Sequence, residues 1–346
     1  MDKYKNALKI AGVYVGLIIG AGFASGREII TFFISYGKMW PLGLVLTGVL
    51  FAVVGYIILS IIEKENIKSY SGFLQTIMSE KTAGIMELVS GLFLCVIFFA
   101  MVSAFGSIFY EAFGINRLSG SAILTVLCFI VFRGGVEKLI ELNTILSPMM
   151  IVGTVFVCLY TYFTKSKYVF MGTNFGVKMP VFIVFSALIY VSYNIITAVS
   201  VFAETKDVLK KDKFAKYGAV LGGMILAFLG IIMGVVLAYE STTIVNADIP
   251  MLLILNKSSM LVTYVYIVVL MGAVITTAVG NGYGAVKWLE DKVMMKSIII
   301  EIFICLSAFL TSNLGFSQFT DKIYPLFGFL GLAEIFCVFK YFLTHK

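Results

Sequence analysis

Apolar residues along this chain run in long blocks rather than in the alternating or one-faced patterns of water-soluble strands and helices. A helix rises 1.5 Å per residue, so about 20 apolar residues cross the ~30 Å hydrocarbon core of a bilayer. Blocks of that kind fall at 7–35, 40–62, 84–113, 119–133, 141–164, 179–204, 216–240, 259–286, 295–313 and 322–343, the fourth being the shortest. The longest polar connections, 63–83 and 205–215, leave no room for an interposed soluble domain. The pattern predicts an all-α membrane protein of ten transmembrane helices, folded as a single transmembrane domain over 1–346.

Composition changes this picture by exclusion. The chain is 60% hydrophobic and 13% charged, with a mean hydropathy of +1.01. A soluble domain carries about 25% charged residues, so lipid must solvate most of this surface. The net charge of +7 does not point to nucleic acid, because the basic residues sit in short loops between apolar blocks. With the N-terminus inside, only Arg27, Lys38, Arg117, Lys165, Lys167, Lys178, Lys257 and Lys322 fall outside, leaving 18 of the 26 basic residues inside. That bias predicts a multi-pass protein of the cell (cytoplasmic) membrane with both termini cytoplasmic. The N-terminal block, preceded by Lys3, Lys5 and Lys9, continues through Gly20, Gly22 and Gly26 to Arg27 and Glu28, and is expected to be the first span rather than a signal peptide. Cys95, Cys128, Cys158, Cys305 and Cys337 lie inside apolar blocks at no metal-ligand spacing and read as packing residues. His345, the one histidine, is in the C-terminal tail. With no His-rich cluster, nucleotide-binding loop or nucleophile beside a base, neither an enzyme nor an organic cofactor is expected.

The first block reads Val15-Gly16-Leu17-Ile18-Ile19-Gly20-Ala21-Gly22-Phe23-Ala24-Ser25-Gly26-Arg27-Glu28. Three glycines in seven residues at mid-span weaken a continuous helix, and backbone freed there must face protein or a cavity rather than lipid. Gly16, Gly20 and Ala24 also fit a small-residue packing face, so the segment alone leaves both readings open. The sixth block carries a mid-membrane polar run, Tyr190-Val191-Ser192-Tyr193-Asn194, followed by Thr197. Helices one and six open the two halves of a ten-span chain, about 7–164 and 179–343. Interrupted helices at matching places in two five-helix halves are the mark of an inverted-repeat transporter. Both are therefore expected to be discontinuous. Backbone N–H groups at one break can hold a carboxylate and freed carbonyls at the other a cation, which suits a zwitterionic amino acid.

The run Val15 to Phe23 resembles the first-helix signature of the amino acid–polyamine–organocation (APC) superfamily, Gly-x-x-x-Gly-(Ser/Ala)-Gly-(Ile/Phe). Val201-Phe202-Ala203-Glu204-Thr205-Lys206 is similar to the Ala-Glu-x-x-Lys that follows helix six in those permeases, and Gly20 to Glu28 looks like the branch of bacterial putative amino-acid permeases. The resemblance implies a LeuT-type five-plus-five inverted repeat over the whole chain. It implies substrate contacts at Ala21, Gly22 and Phe23, with Ala24, Ser25 and Gly26 lining the break, and at Tyr190, Val191, Ser192, Tyr193 and Asn194. Where many members have a proline after the first-helix motif, this chain continues Ser25-Gly26-Arg27-Glu28.

In sodium-coupled LeuT-type transporters, a cation site is built from paired hydroxyls on helix eight, a carbonyl three residues earlier, and two carbonyls of the helix-one break. Gly20, Phe23, Ala273, Thr276 and Thr277 match that pattern, which implies Na+ as coupling ion. The alternative is that the two threonines bond back to their own helix. Arg27 and Asp321 are a candidate outer gate, against simple snorkelling at the surface. Glu301 and Glu334 lie within apolar blocks, where an acid is either a proton carrier or paired with a nearby lysine; pairing with Lys296 and Lys340 at the cytoplasmic edge is the expectation. The expected function is secondary active transport of an amino acid or similar small solute by alternating access. A proton-coupled or uncoupled permease and an amino-acid-sensing receptor subunit remain as alternatives.

Overall fold

The structure, a computed structural model, describes residues 5–134, 149, 152–164, 180–205, 209, 212, 214–239, 244–255 and 259–345. Among these residues it is wholly helical. The first expected span is made of α1 (Lys5–Ile18), α2 (Ala21–Ala24) and α3 (Arg27–Phe32). There follow α4 (Trp40–Glu65), α5 (Tyr70–Ile77), α6 (Glu80–Phe113), α7 (Arg117–Gly134), α8 (Val152–Thr164) and α9 (Pro180–Glu204). The chain ends with α10 (Tyr217–Tyr239), α11 (Pro250–Leu255), α12 (Met260–Lys292), α13 (Ser297–Thr311) and α14 (Tyr324–Thr344), the last entered through a π turn at Phe319–Ile323. Among the described residues eight helices are long and apolar enough to cross a membrane, and Asn6–Ile18 and Val152–Thr164 are shorter apolar helices within the first and fifth expected spans. The early part of the fifth span, 141–148, lies outside the described residues.

Local chemistry sets the helix ends. Ser69 accepts from the Gly72 N–H at the start of α5, and Ser79 does the same for Thr82 at the start of α6. Gly114 ends α6 at φ 67°, where its N–H reaches Phe109 and Tyr110 carbonyls.

Small residues decide which helices meet. A Cβ on Gly223 of α10 would sit 2.6 Å from the Gly48 carbonyl of α4, so those two backbones touch only because both residues are glycine. Gly91 of α6 receives the indole of Trp288 from α12 in the same way. Two groups result. Helices α1, α4, α9 and α10 pack together, as do α6, α7, α12 and α13, with α14 lying along α9.

The sixth helix departs from expectation. Helix α9 is one continuous α-helix from Pro180 to Glu204, not a discontinuous one. Its polar residues are absorbed by its own backbone: the Asn194 amide donates to the Tyr190 carbonyl at 2.9 Å, and the Thr197 hydroxyl to the Asn194 carbonyl at 2.8 Å. No glycine or proline lies between Val181 and Glu204 to force a break.

Candidate functional site at the helix-one interruption

The first helix is interrupted twice. After α1 the chain extends at Gly20 (φ −88°, ψ −171°), and after α2 it turns through Gly26 in the left-handed region at φ 82°. Only glycine holds that second conformation without strain. The freed polar groups find partners inside the protein, as a lipid setting demands. Tyr266 on α12 donates its hydroxyl to the Ala24 carbonyl at 2.9 Å, and the Met251 N–H of α11 donates to the Ser25 carbonyl at 3.0 Å. At the far end of α3, the Ser186 hydroxyl of α9 donates to the Phe32 carbonyl at 2.6 Å.

This double turn carries Glu28 into the interior, where only 6% of it is exposed. The Tyr190 hydroxyl donates to Glu28 Oε2 at 3.1 Å, and the rest of the carboxylate lies against the Cα of Gly22, where any side chain would overlap it. Aromatic rings enclose the acid. Tyr190 stands 5.3 Å from Phe32, 5.2 Å from Phe33 and 5.4 Å from Tyr193. Tyr193 in turn stands 5.9 Å from Phe93 and 5.4 Å from Tyr324. Among the described residues, the buried hydroxyls of Tyr193 and Tyr324 have no hydrogen-bond partner. An enclosed acid, apolar ring faces and two spare hydroxyls can take a small solute that carries a positive charge.

Of the substrate contacts expected on α9, Tyr190 and Tyr193 therefore meet the helix-one interruption. Ser192 points elsewhere, at Gly331 of α14, where a Cβ would stand 2.6 Å from its oxygen. Asn194 is engaged by its own helix, and Val191 is buried. Ala21, Gly22, Phe23 and Ala24 form the buried turn α2, and Ser25 donates to the Gly22 carbonyl at 3.1 Å. Sequence reading treated Glu28 only as a neighbour of the gate. The signal was present: it is an acid within an apolar block beside a glycine break, and such a residue is functional by default.

The structure brings Gly20 and Thr277 together, since a Cβ on Gly20 would stand 3.3 Å from the Thr277 hydroxyl. The Thr276 hydroxyl donates to the Ala273 carbonyl at 3.0 Å, the back-bonded geometry that paired threonines often adopt. The Gly20 and Phe23 carbonyls each accept one backbone N–H, from Ala24 at 2.9 Å and Gly26 at 3.0 Å, which leaves each oxygen a second lone pair.

Above the interruption, Arg27 pairs with Asp321 through both carboxylate oxygens, with Nε 3.0 Å from Oδ1. Arg27 also donates to the carbonyls of Val245 and Ala247, while Thr31 donates to Asp321 at 2.6 Å. A buried arginine with four acceptors is not a snorkelling side chain. A second ion pair sits nearby: Asp248 binds Arg117 at 2.6 Å, the Ser107 hydroxyl at 2.9 Å and the Ser317 N–H at 2.9 Å. Burial pushes the Asp248 carboxyl up, but these donors together hold it below the usual aspartate range. The expected lysine partners of the two other apolar-block acids are not found. Glu301 faces Arg133 at 3.8 Å and accepts from Ser297, while Glu334 accepts from Tyr70 at 3.0 Å; both acids are buried, whereas Lys296 and Lys340 are exposed.

Over 334 residues the chain is 30% identical to the uncharacterized membrane protein YkvI of Bacillus subtilis (strain 168), covering 95% of this chain and 94% of YkvI. The chain belongs to the YkvI family. The uncharacterized protein YyaD of the same organism is 22% identical over 343 residues, 99% of each chain. No model of a known protein family matches the chain. Among solved structures, MhsT in complex with L-phenylalanine is similar with a TM-score of 0.70 at 15% identity, over 95% of this chain and 87% of MhsT. The Eremococcus coleocola manganese transporter is similar with a TM-score of 0.63 at 13% identity, over 94% and 76%. A Na+-coupled sialic acid symporter is similar with a TM-score of 0.57 at 13% identity, over 94% and 77%. These neighbours are transporters of the LeuT-type fold, and the YkvI family shares that fold as a multi-pass membrane protein.

Proposed function

We propose that this protein is a secondary active transporter that moves an amino acid or similar small solute with Na+ by alternating access, and that it sits within the APC superfamily. The observation that carries the reading is the interrupted first helix, which holds the Glu28 carboxylate inside an aromatic enclosure built with α9. A structural helix in lipid has no need of either feature, and both cost stability unless something is bound there. The packing of α1 and α4 with α9 and α10, and of α6 and α7 with α12 and α13, pairs equivalent members of two halves and supports an inverted repeat over about 7–164 and 179–343.

In this reading the ammonium of the solute meets Glu28, Tyr190 and Tyr193, while Ala21 to Gly26 line its path. Because the carboxyl group of Glu28 already lies on Gly22, the break presents an acid, and the positive group of the solute is the one that pairs with it in its ionised form. The nearness of Gly20 to Thr277, with Thr276 beside the Ala273 carbonyl, supports a sodium site formed with Phe23. The Arg27–Asp321 pair acts as the outer gate. Both termini lie in the cytoplasm of the cell.

Purified protein in liposomes tests this directly. Preloaded with one amino acid at a time, the liposomes should accumulate the labelled form by counterflow, faster with Na+ than with K+. Binding without exchange, for every amino acid tried, would make the protein a sensor and overturn the transport reading.

A further inference from the structure

Glu334 lies in the middle of α14, fully shielded from solvent. Its Oε2 accepts the Tyr70 hydroxyl at 3.0 Å, and its Oε1 has no hydrogen-bond partner among the described residues. Tyr70, half-buried at the start of α5, also bonds the Ser90 hydroxyl of α6 at 2.5 Å. The titratable groups around the acid are Tyr70 on α5, Glu87 on α6 beyond Tyr70, and Cys337 on its own helix, with Lys340 lying near Cys337. Glu87 is engaged by Lys292 of α12 at 3.4 Å. From α4 and α9 no charged side chain reaches Glu334 among the described residues. An ionised carboxylate sealed in this way has no cation to offset its lost hydration, at a cost of several kcal/mol. The neutral acid avoids that cost.

Position gives this acid a role. One turn earlier on α14, the absent side chain of Gly331 admits Ser192, whose buried oxygen is also without a partner. Ser192 neighbours Tyr193 of the Glu28 enclosure on α9. Glu334 thus stands between that enclosure and Tyr70, on the segment 63–83 whose lysines mark the cytoplasmic face.

We propose that Glu334 is a proton-binding site, loaded in the closed conformation and discharged past Tyr70 toward the cytoplasm as the inner side opens. Loading, completed from the outside water before the protein closes, joins one proton to the carboxylate and forms an O–H bond. Opening hydrates the acid and returns that proton to water, so no further reactant is involved. The binding of the proton stands on the geometry of Glu334, whereas its coupling to solute movement rests on the transport reading above.

Infrared difference spectra of the full chain in lipid separate the two. Wild type minus Glu334→Gln should contain the C=O band of a protonated carboxylic acid, displaced in D2O, and Tyr70→Phe should shift that band. A difference spectrum without it overturns the proton site. In weakly buffered liposomes carrying a trapped pH dye, solute uptake should move protons, and Glu334→Gln should abolish that signal while counterflow persists. Uptake with no proton signal in wild type, or an unchanged signal in Glu334→Gln, overturns the coupling. Absence of counterflow for any solute would instead defeat the transport reading, and the infrared band would still decide whether Glu334 holds a proton.

Discussion

The carboxylate of Glu28 lies on the bare Cα of Gly22, six residues earlier, because the left-handed turn at Gly26 folds α3 back over α2. Neither residue fits without the other's form. Gly22→Ala should overlap the carboxylate and destabilise the protein by roughly 1–3 kcal/mol, as overpacking does. Adding Glu28→Ala should restore the melting temperature but not solute binding. Thermal unfolding and counterflow on the two variants check this. A Gly22→Ala protein with unaltered stability and exchange would show that the two groups are not in contact.

The proposed gating role of the Arg27–Asp321 pair carries its own prediction. Arg27 is held by the Asp321 carboxylate and by two carbonyls that follow α10. Hydrogen bonds to charged groups contribute about 1.5–3 kcal/mol each, so Asp321→Asn should raise the open-to-closed ratio roughly tenfold or more. A reporter cysteine at Ser25, beneath the pair, should then react faster with an impermeant maleimide added from outside. Equal reaction rates in the presence and absence of the substitution would remove the gating role.

Much of this was legible in the chain, and the part that was not has a physical cause. Lipid solvation leaves long apolar blocks, so the eight helices long enough to cross a membrane among the described residues could be placed from the sequence to within a turn or two. The break at helix one was visible because only glycine tolerates φ 82° at Gly26 and the contact at Gly22. Helix six misled because a polar run reads alike whether it opens a helix or bonds along it. Asn194 and Thr197 satisfy themselves on their own backbone, and one-dimensional spacing does not reveal which carbonyl an amide will choose. The partners of Glu28 and Glu334, Tyr190 and Tyr70, lie 162 and 264 residues away, so tertiary packing alone discloses them.

Sodium dependence should reside in the paired threonines of α12. If the Thr277 hydroxyl beside Gly20 and the Thr276 hydroxyl beside the Ala273 carbonyl bind Na+, replacing both with alanine removes two hard oxygen ligands. The sodium concentration for half-maximal uptake should rise roughly thirtyfold, each of the two lost ligands contributing on the order of 1 kcal/mol. Uptake at saturating solute as a function of Na+ measures this, and an unchanged curve would end the assignment.

The tether at Asp248 has a pH signature. Its carboxyl is held below the ordinary aspartate value of about 3.9 by donors that exist only in the folded chain, namely Ser317, Ser107 and Arg117. A carboxylate with a depressed folded-state pKa contributes stability that is complete above the unfolded value. That stability disappears as pH falls from there through the folded value, because the unfolded chain then takes up the proton first. Wild type should therefore lose melting temperature steeply below about pH 4, while Asp248→Asn, less stable at neutral pH, should lose less over the same interval. Parallel melting curves for the two proteins from pH 7 to pH 3 would mean that the tether does not stabilise the protein through its charge.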